Sequence, residues 1–268
     1  MTPPDDASAD DRPRLLGGGA RTRVWELSTP AGPRVIKVGE AARTVHEADI
    51  LERLAGSTLA PRLVAGGEGI LITERIAGAP EPPRAWTTAQ AQALGRLLRR
   101  LHDLPISSFV HAPIAADDRY RDGRIAAMRG ECRRDARALT ESSLALVPPA
   151  TSEQLVLLHG DPWSGNVVWG ASGPVLVDWE YARPGERAED LAYLAALDEL
   201  DAATLRGVLG GYGAGRELRM RVDAWRPLMA CWCGSWLADR GEPDRGARLL
   251  AHAERLLAAR APGVSRGA

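Results

Sequence analysis

Two hydrophobic periodicities divide the chain into an N-terminal and a C-terminal part. Up to residue 76, most apolar residues form short runs or alternate with polar ones, which is typical of β-strands. This pattern predicts strands at 15–16, 24–27, 34–38, 61–64 and 69–76. Between the third and fourth of these, apolar residues recur at helical spacing from Val45 to Leu54. The N-terminal part is therefore predicted to be a small sheet with one helix.

A proline-rich link at 79–83 is followed by helical patterns. Thr87 or Thr88 can cap the first helix. Further helices are predicted at 118–144, 191–209, 218–240 and 245–259, with a glycine-rich break at 210–215. The chain is thus predicted to be of the α+β class and to have two lobes. Its predicted parts are a disordered segment 1–12, an N-lobe 13–78, a C-lobe 79–262 and a frayed tail 263–268.

The exception in the C-terminal part is the stretch from Leu155 to Leu194. An apolar run at 155–158 predicts a buried strand, and a polar loop follows at 159–166. Two more short strands, 167–169 and 175–177, are joined by a turn and lead into Asp178. This arrangement would hold Asp161, Asn166 and Asp178 close together at the strand ends.

These residue types suit phosphoryl transfer. Mg²⁺ takes oxygen ligands, which Asn166 and Asp178 can supply. Asp161, five residues before Asn166, can accept the proton of an attacking hydroxyl. The order of the three residues is that of a kinase catalytic loop and its metal-binding aspartate, although Gly160 stands where protein kinases have arginine. The alternative is that all three residues merely cap turns.

The motifs resemble those of the aminoglycoside phosphotransferase and choline kinase superfamily, kinase-like enzymes that phosphorylate small molecules. The matching pieces are His159-Gly160-Asp161, Asn166, Asp178-Trp179-Glu180 and Asp190-Leu191-Ala192. This resemblance implies a bilobal protein-kinase-like fold. It also implies that Asp161 is the catalytic base, that Asn166 and Asp178 hold Mg²⁺, and that His159 and Asp190 brace the catalytic loop.

Lys37 is the only lysine in a chain with 34 basic residues, and Asn166 is the only asparagine. Because the sequence uses arginine at its other basic positions, the single lysine indicates a position at which the broad guanidinium group would not function. Lys37 lies in an apolar strand, and Glu47 follows ten residues later on the predicted helix. The kinase interpretation pairs the two at the nucleotide phosphates. The alternative is that Glu47 faces solvent.

Other nucleotide-binding residues are predicted less directly. Gly18 and Gly19 belong to a glycine turn between two strands, which could cover phosphates or be a plain hairpin turn. In the resembled family the hinge binds adenine through backbone groups, and by position these are the Glu74 carbonyl and the Ile76 amide. The nucleotide would be ATP or GTP.

The sequence predicts the acceptor site less clearly than the other parts of the candidate site. Trp225, Met229, Trp232 and Trp236 share one helical face, which could be core or could line a pocket for a cationic or sugar-like acceptor. Trp225 and Trp232, with Asp198 nearby, are the candidate acceptor-binding residues. An arginine-rich face at 119–137 could be solvated or could bind an anionic substrate.

Composition excludes several function classes. The net charge of −1 argues against nonspecific binding of nucleic acid or of a membrane surface. No apolar run approaches the roughly 20 residues of a membrane span, and the N-terminus does not resemble a signal peptide, so a cytoplasmic protein is expected. The predicted function is Mg²⁺-dependent phosphorylation of a small hydroxylated molecule. A protein kinase and a noncatalytic nucleotide-binding module stay open as alternatives.

Overall fold

The computed structural model describes residues 13–18, 22–78, 86–109, 136–149 and 155–260. The described residues fall into two compact units. The first comprises the described residues within 1–82 together with 165–182, and the second comprises the described residues within 83–164 and 183–268. Strands dominate the first unit and helices the second, so the predicted α+β class is confirmed.

A five-stranded antiparallel sheet forms the body of the first unit. Its strands lie in the order β1-β2-β3-β5-β4. Their bounds are β1 Arg14–Gly17, β2 Arg23–Leu27, β3 Arg34–Val38, β4 Leu63–Gly67 and β5 Ile70–Glu74. Each predicted strand has an observed counterpart, but β4 begins two residues later and ends three residues later than the predicted 61–64. Strand β3 lies in the middle of the sheet, paired with β2 and β5, and this places Lys37 opposite Val24 and Leu71.

Helix α1, Ala41–Arg53, packs on β4 and β5 and buries Ala48, Ile50 and Leu51.

The first unit also contains the hairpin of β7, Val167–Gly170, and β8, Gly173–Leu176. The sequence pattern assigns this hairpin to the C-terminal lobe, whereas in the structure it belongs to the compact first unit. The backbone N–H of Leu176 donates to the carbonyl of Leu59 at 2.9 Å, which ties the hairpin to the segment after α1.

The second unit is built mainly from helices. They are α2 Thr88–His102, α3 Arg137–Leu144, α4 Arg187–Leu197, α5 Ala202–Tyr212, α6 Arg216–Asp239 and α7 Pro243–Ala258. Thr87 caps α2 in a capping box with Gln90, as the sequence predicts. Four leucines of α2 are fully buried, at positions 94, 97, 98 and 101. Helix α2 packs mainly on α5, and α4 and α7 pack on α6.

The sequence prediction is wrong at two places around α4 and α5. The single helix predicted at 191–209 is two helices, because Asp201 begins α5 as an N-cap that accepts from the backbone N–H of Thr204 at 2.7 Å. The predicted glycine-rich break at 210–215 begins later, since α5 continues to Tyr212 and ends at Gly213 with a φ of 74°.

The helix predicted at 118–144 is described only at its end, which is α3. The arginine-rich face predicted at 119–137 therefore lies almost wholly outside the described residues. Of that face the structure places Arg137, which is exposed at the start of α3. Both interpretations of the face, a solvated surface and an anion-binding one, stay predictions.

A strand pair in the second unit precedes the polar loop. Strand β6, Leu155–Leu158, pairs antiparallel with β9, Arg183–Glu186. Strand β6 is predicted from its apolar run, but β9 is not, because Arg-Pro-Gly-Glu has no apolar pattern. Strand β9 leads directly into α4, so the β6–β9 pair holds both the start of the loop after β6 and the start of α4.

Within the part of the chain that the structure describes, no helix combines the length and the apolar character needed to cross a bilayer.

Candidate active site

Lys37 lies at the centre of a buried ion-pair cluster in the first unit. Its side-chain nitrogen is 2.7 Å from Glu47 Oε2, and both residues are buried. The predicted pairing of these two residues is therefore present, and the alternative of a solvent-facing Glu47 is wrong. The same nitrogen also lies 2.5 Å from Asp178 Oδ1 and 3.0 Å from Glu180 Oε2.

The cluster carries more negative than positive charge. Lys37 faces the three carboxylates of Glu47, Asp178 and Glu180, and Arg43 Nη1 approaches Glu180 Oε1 at 3.2 Å. Two cationic side chains thus face three anionic ones. The carboxylate oxygens lie within 4.8 Å of one another, a spacing that one metal ion can bridge. The excess charge makes the cluster a favourable place for a further cation.

The charges also shift the pKa values of the buried pair. Burial by itself would lower the pKa of the Lys37 ammonium, but the attraction of Asp178 and Glu47 outweighs it, so that the pKa is raised. Lys37 therefore holds its proton more tightly than an exposed lysine does. Burial, opposed by Lys37 and reinforced by repulsion from Asp178, raises the pKa of Glu47. The glutamate thus gives up its proton less readily than an exposed carboxyl, as expected where anions outnumber cations.

Local backbone geometry orients the acidic segment after β8. Asp178 has a φ of 67°, in the left-handed region that residues other than glycine seldom adopt. The next residue, Trp179, is fully buried, and its backbone N–H donates to Glu47 Oε1 at 3.0 Å. Glu47 thus binds Lys37 with one oxygen and the backbone after Asp178 with the other. This bridge holds the carboxylate of Asp178 at the lysine.

Asn166 stands at the start of the β7–β8 hairpin. Its backbone carbonyl accepts from the N–H of Val177 at 2.9 Å, so it lies across the hairpin from the residue that precedes Asp178. The side chain of Asn166 is buried, at 8% exposure. The hairpin therefore brings together, at one end, the two residues that the sequence predicts as metal ligands.

The remaining predicted nucleotide-binding residues are placed as follows. Gly18 follows β1, where a Cβ atom would lie 2.5 Å from the carbonyl oxygen of Thr22, so that a larger residue would not fit this backbone. Gly19 lies outside the described residues. Glu74 ends β5, and its side chain pairs with Arg62 at 2.6 Å. Ile76 follows two residues later, outside any strand or helix.

Asp190, on α4, holds the beginning of the loop after β6 in the second unit. Its Oδ2 accepts from the backbone N–H of His159 at 2.9 Å, and its Oδ1 accepts from Gly160 N–H at 3.0 Å. The ring of His102 lies 3.1 Å from the same carboxylate. Burial would raise the pKa of Asp190, but hydrogen bonding and attraction from His102 dominate and lower it. The ionised carboxylate is thereby kept as an acceptor for the loop.

The loop turns sharply at Gly160, between the start that Asp190 holds and Asp161. Gly160 has a φ of 82°, a conformation that favours glycine. The backbone N–H of Asp161 donates to His159 Nδ1 at 3.3 Å. Its carboxylate oxygen Oδ1 accepts from the phenol of Tyr193 at 2.5 Å. His159 and Asp190 thus both support the loop structurally.

Asp198 holds the other end of the loop. Its Oδ2 accepts from the backbone N–H of Ser164 at 3.0 Å, and its Oδ1 accepts from the Ser164 hydroxyl at 2.8 Å. Burial raises the pKa of Asp198 to about 6, although these hydrogen bonds oppose the shift. Asp198 is predicted from sequence to bind an acceptor. In the structure both of its oxygens accept from Ser164, and its role toward an acceptor stays a prediction.

The three tryptophans that share one face of α6 range from buried to exposed. Trp225 is 2% exposed and donates its indole N–H to Glu186 at 3.0 Å, as a core residue would. Trp232 is half-buried and packs against the ring of Tyr193, with centroids 5.6 Å apart. Trp236 is 43% exposed, so the core interpretation is wrong for this residue.

Three contacts were missed by the sequence analysis. Glu180 joins the Lys37 cluster, Tyr193 binds Asp161, and Asp198 holds Ser164. For Glu180 a signal was present, because it belongs to the quoted Asp178-Trp179-Glu180 motif. The sequence places Tyr193 three residues after Asp190, on the same face of a helix, but does not indicate that this face contacts the loop.

Comparison with protein families decides what kind of protein carries this geometry. A model of the phosphotransferase enzyme family, APH, matches residues 13–231, which is most of the chain. The chain belongs to the phosphotransferase enzyme family. The resemblance inferred from the motifs is thereby confirmed, and the chain is a phosphotransferase.

Solved structures of phosphotransferases and kinases share the fold. The aminoglycoside phosphotransferase APH(4)-Ia matches with a TM-score of 0.70 at 15% identity, covering 94% of each chain. Amicoumacin kinase hAmiN, in complex with AMP-PNP, Ca²⁺ and Ami, matches at 0.68 and 13% identity, covering 95% of this chain and 90% of that one. A choline/ethanolamine kinase family protein from Mesorhizobium loti matches at 0.62 and 22% identity, covering 92% of each chain. The predicted kinase-like fold is therefore confirmed. No curated protein matches the chain by sequence.

Proposed function

We propose that this phosphotransferase moves the γ-phosphoryl group of a nucleoside triphosphate, with ATP as the first donor to test, to a hydroxyl of a small molecule. The observation that carries the proposal is the Lys37 cluster. A buried lysine ammonium is held by Glu47 and Asp178, and the anionic charge around it exceeds the cationic charge. Kinases need such a pairing of one fixed ammonium and one carboxylate-bound metal at the phosphates.

The donor atoms of the cluster fit Mg²⁺. Asp178 offers a carboxylate that is 38% exposed, and Asn166, at the same end of the hairpin, offers an amide oxygen. Glu180 adds a second carboxylate. All are hard oxygen donors, the kind that Mg²⁺ prefers. When bound, the ion would neutralise phosphate charge, and Asn166 and Asp178 would hold it.

Asp161 is proposed as the residue that receives the proton of the acceptor hydroxyl. The new bond forms between the hydroxyl oxygen and the γ-phosphorus, and the bond to the leaving nucleoside diphosphate breaks. Since the transition state of such transfers is loose, the base chiefly orients the nucleophile. The tight support of the loop that carries Asp161 agrees with this role, because it fixes the residue before substrate arrives.

The acceptor class rests on the relatives. They include an aminoglycoside phosphotransferase, a choline/ethanolamine kinase family protein and an amicoumacin kinase. All three are named for small acceptors rather than for proteins, which supports a small hydroxylated acceptor here. We therefore favour small-molecule phosphorylation over protein phosphorylation.

A turnover assay tests the proposal. The protein is incubated with Mg²⁺ and either ATP or GTP, and with an acceptor panel of an aminoglycoside, choline and ethanolamine. Nucleoside diphosphate and phosphorylated product are measured together. We expect stimulation by one class of acceptor, with product formed in equal amount to the diphosphate.

Asp161→Ala is the matched inactive variant. It should bind nucleotide and unfold as the wild type does, while turnover falls at least about a hundredfold, equivalent to about 2.7 kcal/mol of barrier. Turnover like that of the wild type would disprove the role of Asp161. Phosphorylation of a protein substrate in preference to the whole panel would overturn the proposed acceptor class.

A further inference from the structure

Helix α4 contacts the proposed catalytic loop through two side chains on one face. Asp190 and Tyr193 are three residues apart, so they project from neighbouring turns in the same direction. Asp190 accepts from the loop backbone at His159 and Gly160. Tyr193 instead contacts the functional side chain itself, because its phenol donates to Asp161 Oδ1 at 2.5 Å.

We propose that Tyr193 is a positioning residue for phosphoryl transfer, which fixes the orientation of the Asp161 carboxylate. The inference rests on the proposed function of Asp161 as the proton acceptor. Tyr193 does not react, and it keeps its own proton throughout. Its effect is exerted through the one oxygen of Asp161 that it binds.

The need for such a residue follows from the aspartate side chain. The last torsion of an aspartate is broad, so the plane of its carboxylate is poorly fixed by the backbone alone. A donor that binds one oxygen removes this freedom. A carboxylate has about four lone-pair sites, so it can accept from Tyr193 and from an acceptor hydroxyl at once. Orientation set in advance lowers the barrier of a reaction that depends on positioning.

Tyr193 is itself well held for this purpose. Its ring packs against that of Trp232 on α6, with centroids 5.6 Å apart and planes inclined at 51°. Aromatic pairs at this distance and inclination are attractive. A tyrosine has only two side-chain torsions, and packing against Trp232 restricts both. The indole therefore steadies the phenol, and the phenol steadies the carboxylate.

The test is Tyr193→Phe, which removes the hydroxyl and keeps the ring against Trp232. With ATP and the best acceptor of the panel, we expect kcat to fall about tenfold, the loss of one hydrogen bond to a charged group. The KM for ATP and the melting temperature should stay the same. A merely structural role would lower the melting temperature and leave kcat of the folded protein unchanged.

A double-mutant cycle shows whether the effect passes through Asp161. In an Asp161→Ala background, Tyr193→Phe should lower the residual rate no further, since its partner is gone. Met220→Leu, at a position of the same helix that is 61% exposed and outside this face, serves as the control and should leave kcat unchanged. An additive effect in the cycle would overturn the inference.

Failure of the inference and of the proposed function give different results. If Asp161→Ala keeps the wild-type rate, the role of Asp161 is wrong and the inference falls with it. If Asp161→Ala loses turnover but Tyr193→Phe keeps the full kcat, only the positioning role of Tyr193 is wrong.

Discussion

The Lys37 cluster and the loop at 159–164 are held in place by different physical means. In the cluster, full charges face one another, and Lys37 contacts three carboxylates with a net excess of negative charge. In the loop, the ends are fixed by N–H and O–H donors that bind single carboxylates, Asp190 at one end and Asp198 at the other. The first arrangement is electrostatic, and the second is a set of oriented hydrogen bonds.

This difference indicates what each region is built to do. Excess charge is stabilised by a further cation, so the cluster is suited to binding and should respond to metal and salt. Directed hydrogen bonds fix geometry, so the loop is suited to holding one side chain in place. The comparison therefore predicts that changes in the loop mainly affect stability or kcat, whereas changes in the cluster affect binding as well.

The largest effect is expected where the loop is anchored. Asp190→Ala leaves two backbone N–H groups and the ring of His102 without their buried acceptor. We expect the free energy of unfolding to fall by about 3–5 kcal/mol, measured by urea denaturation. Asp201→Ala, which removes an exposed helix cap on the next helix, is the control and should have a much smaller effect. Equal losses would show that Asp190 is no special anchor.

Sequence alone predicts the parts of this site that are local in the chain. The motif residues Asp161, Asn166 and Asp178 are predicted from their spacing, and the pairing of Glu47 with Lys37 is predicted because helix α1 follows Lys37 closely. Tyr193 escapes prediction because its contact with Asp161 depends on which way α4 faces. That orientation is set by packing between elements and not by local pattern.

The error at α4 and α5 has a different cause. Apolar periodicity continues from 191 to 209, and it concealed the cap that separates the two helices. Asp201 with Thr204 three residues later is a readable N-cap signal, but the apolar pattern alone presents Asp201 as an exposed acid. Chemical capping signals can therefore override a hydrophobic stripe. Hydrophobic periodicity predicts where helices lie better than it predicts where one helix ends and the next begins.

The second prediction tests the cluster with a nominally conservative change. Lys37→Arg should lower kcat about a hundredfold, nearly as much as Lys37→Met, because a planar fork cannot replace a compact ammonium among three carboxylates. Steady-state kinetics with ATP measure both variants. Arg43→Lys, at the half-buried edge of the same cluster, is the control and should change kcat only slightly. A fully active Lys37→Arg would mean that charge alone matters at this position.

The third prediction separates the metal ligand from its neighbour. Asp178→Asn should weaken the apparent affinity for Mg²⁺ about tenfold or more, because it removes a charge from the proposed cation site. Titration of Mg²⁺ at fixed ATP measures this. Glu180→Gln removes a charge from the same cluster and should have the smaller effect. The reverse order would assign the metal to Glu180.

The last prediction concerns pH and the far end of the loop. The pKa of Asp198 is raised to about 6 from an ordinary value of 3.8, so the folded protein holds this proton more tightly than the unfolded chain does. Its contribution to stability is therefore complete below the ordinary value and is lost as the pH rises through about 6.

Asp198→Asn cannot ionise, so it lacks this pH dependence. We expect the difference in unfolding free energy between wild type and Asp198→Asn to fall by about 2 kcal/mol between pH 4 and pH 7. Urea denaturation at several pH values measures it, and taking the difference cancels the other carboxylates that both proteins share. The Ser164 hydroxyl and backbone N–H favour the ionised form and so limit the change. A difference that stays constant with pH would show that these two hydrogen bonds offset burial completely, and Asp198 would then hold the loop equally well in its neutral and its ionised form.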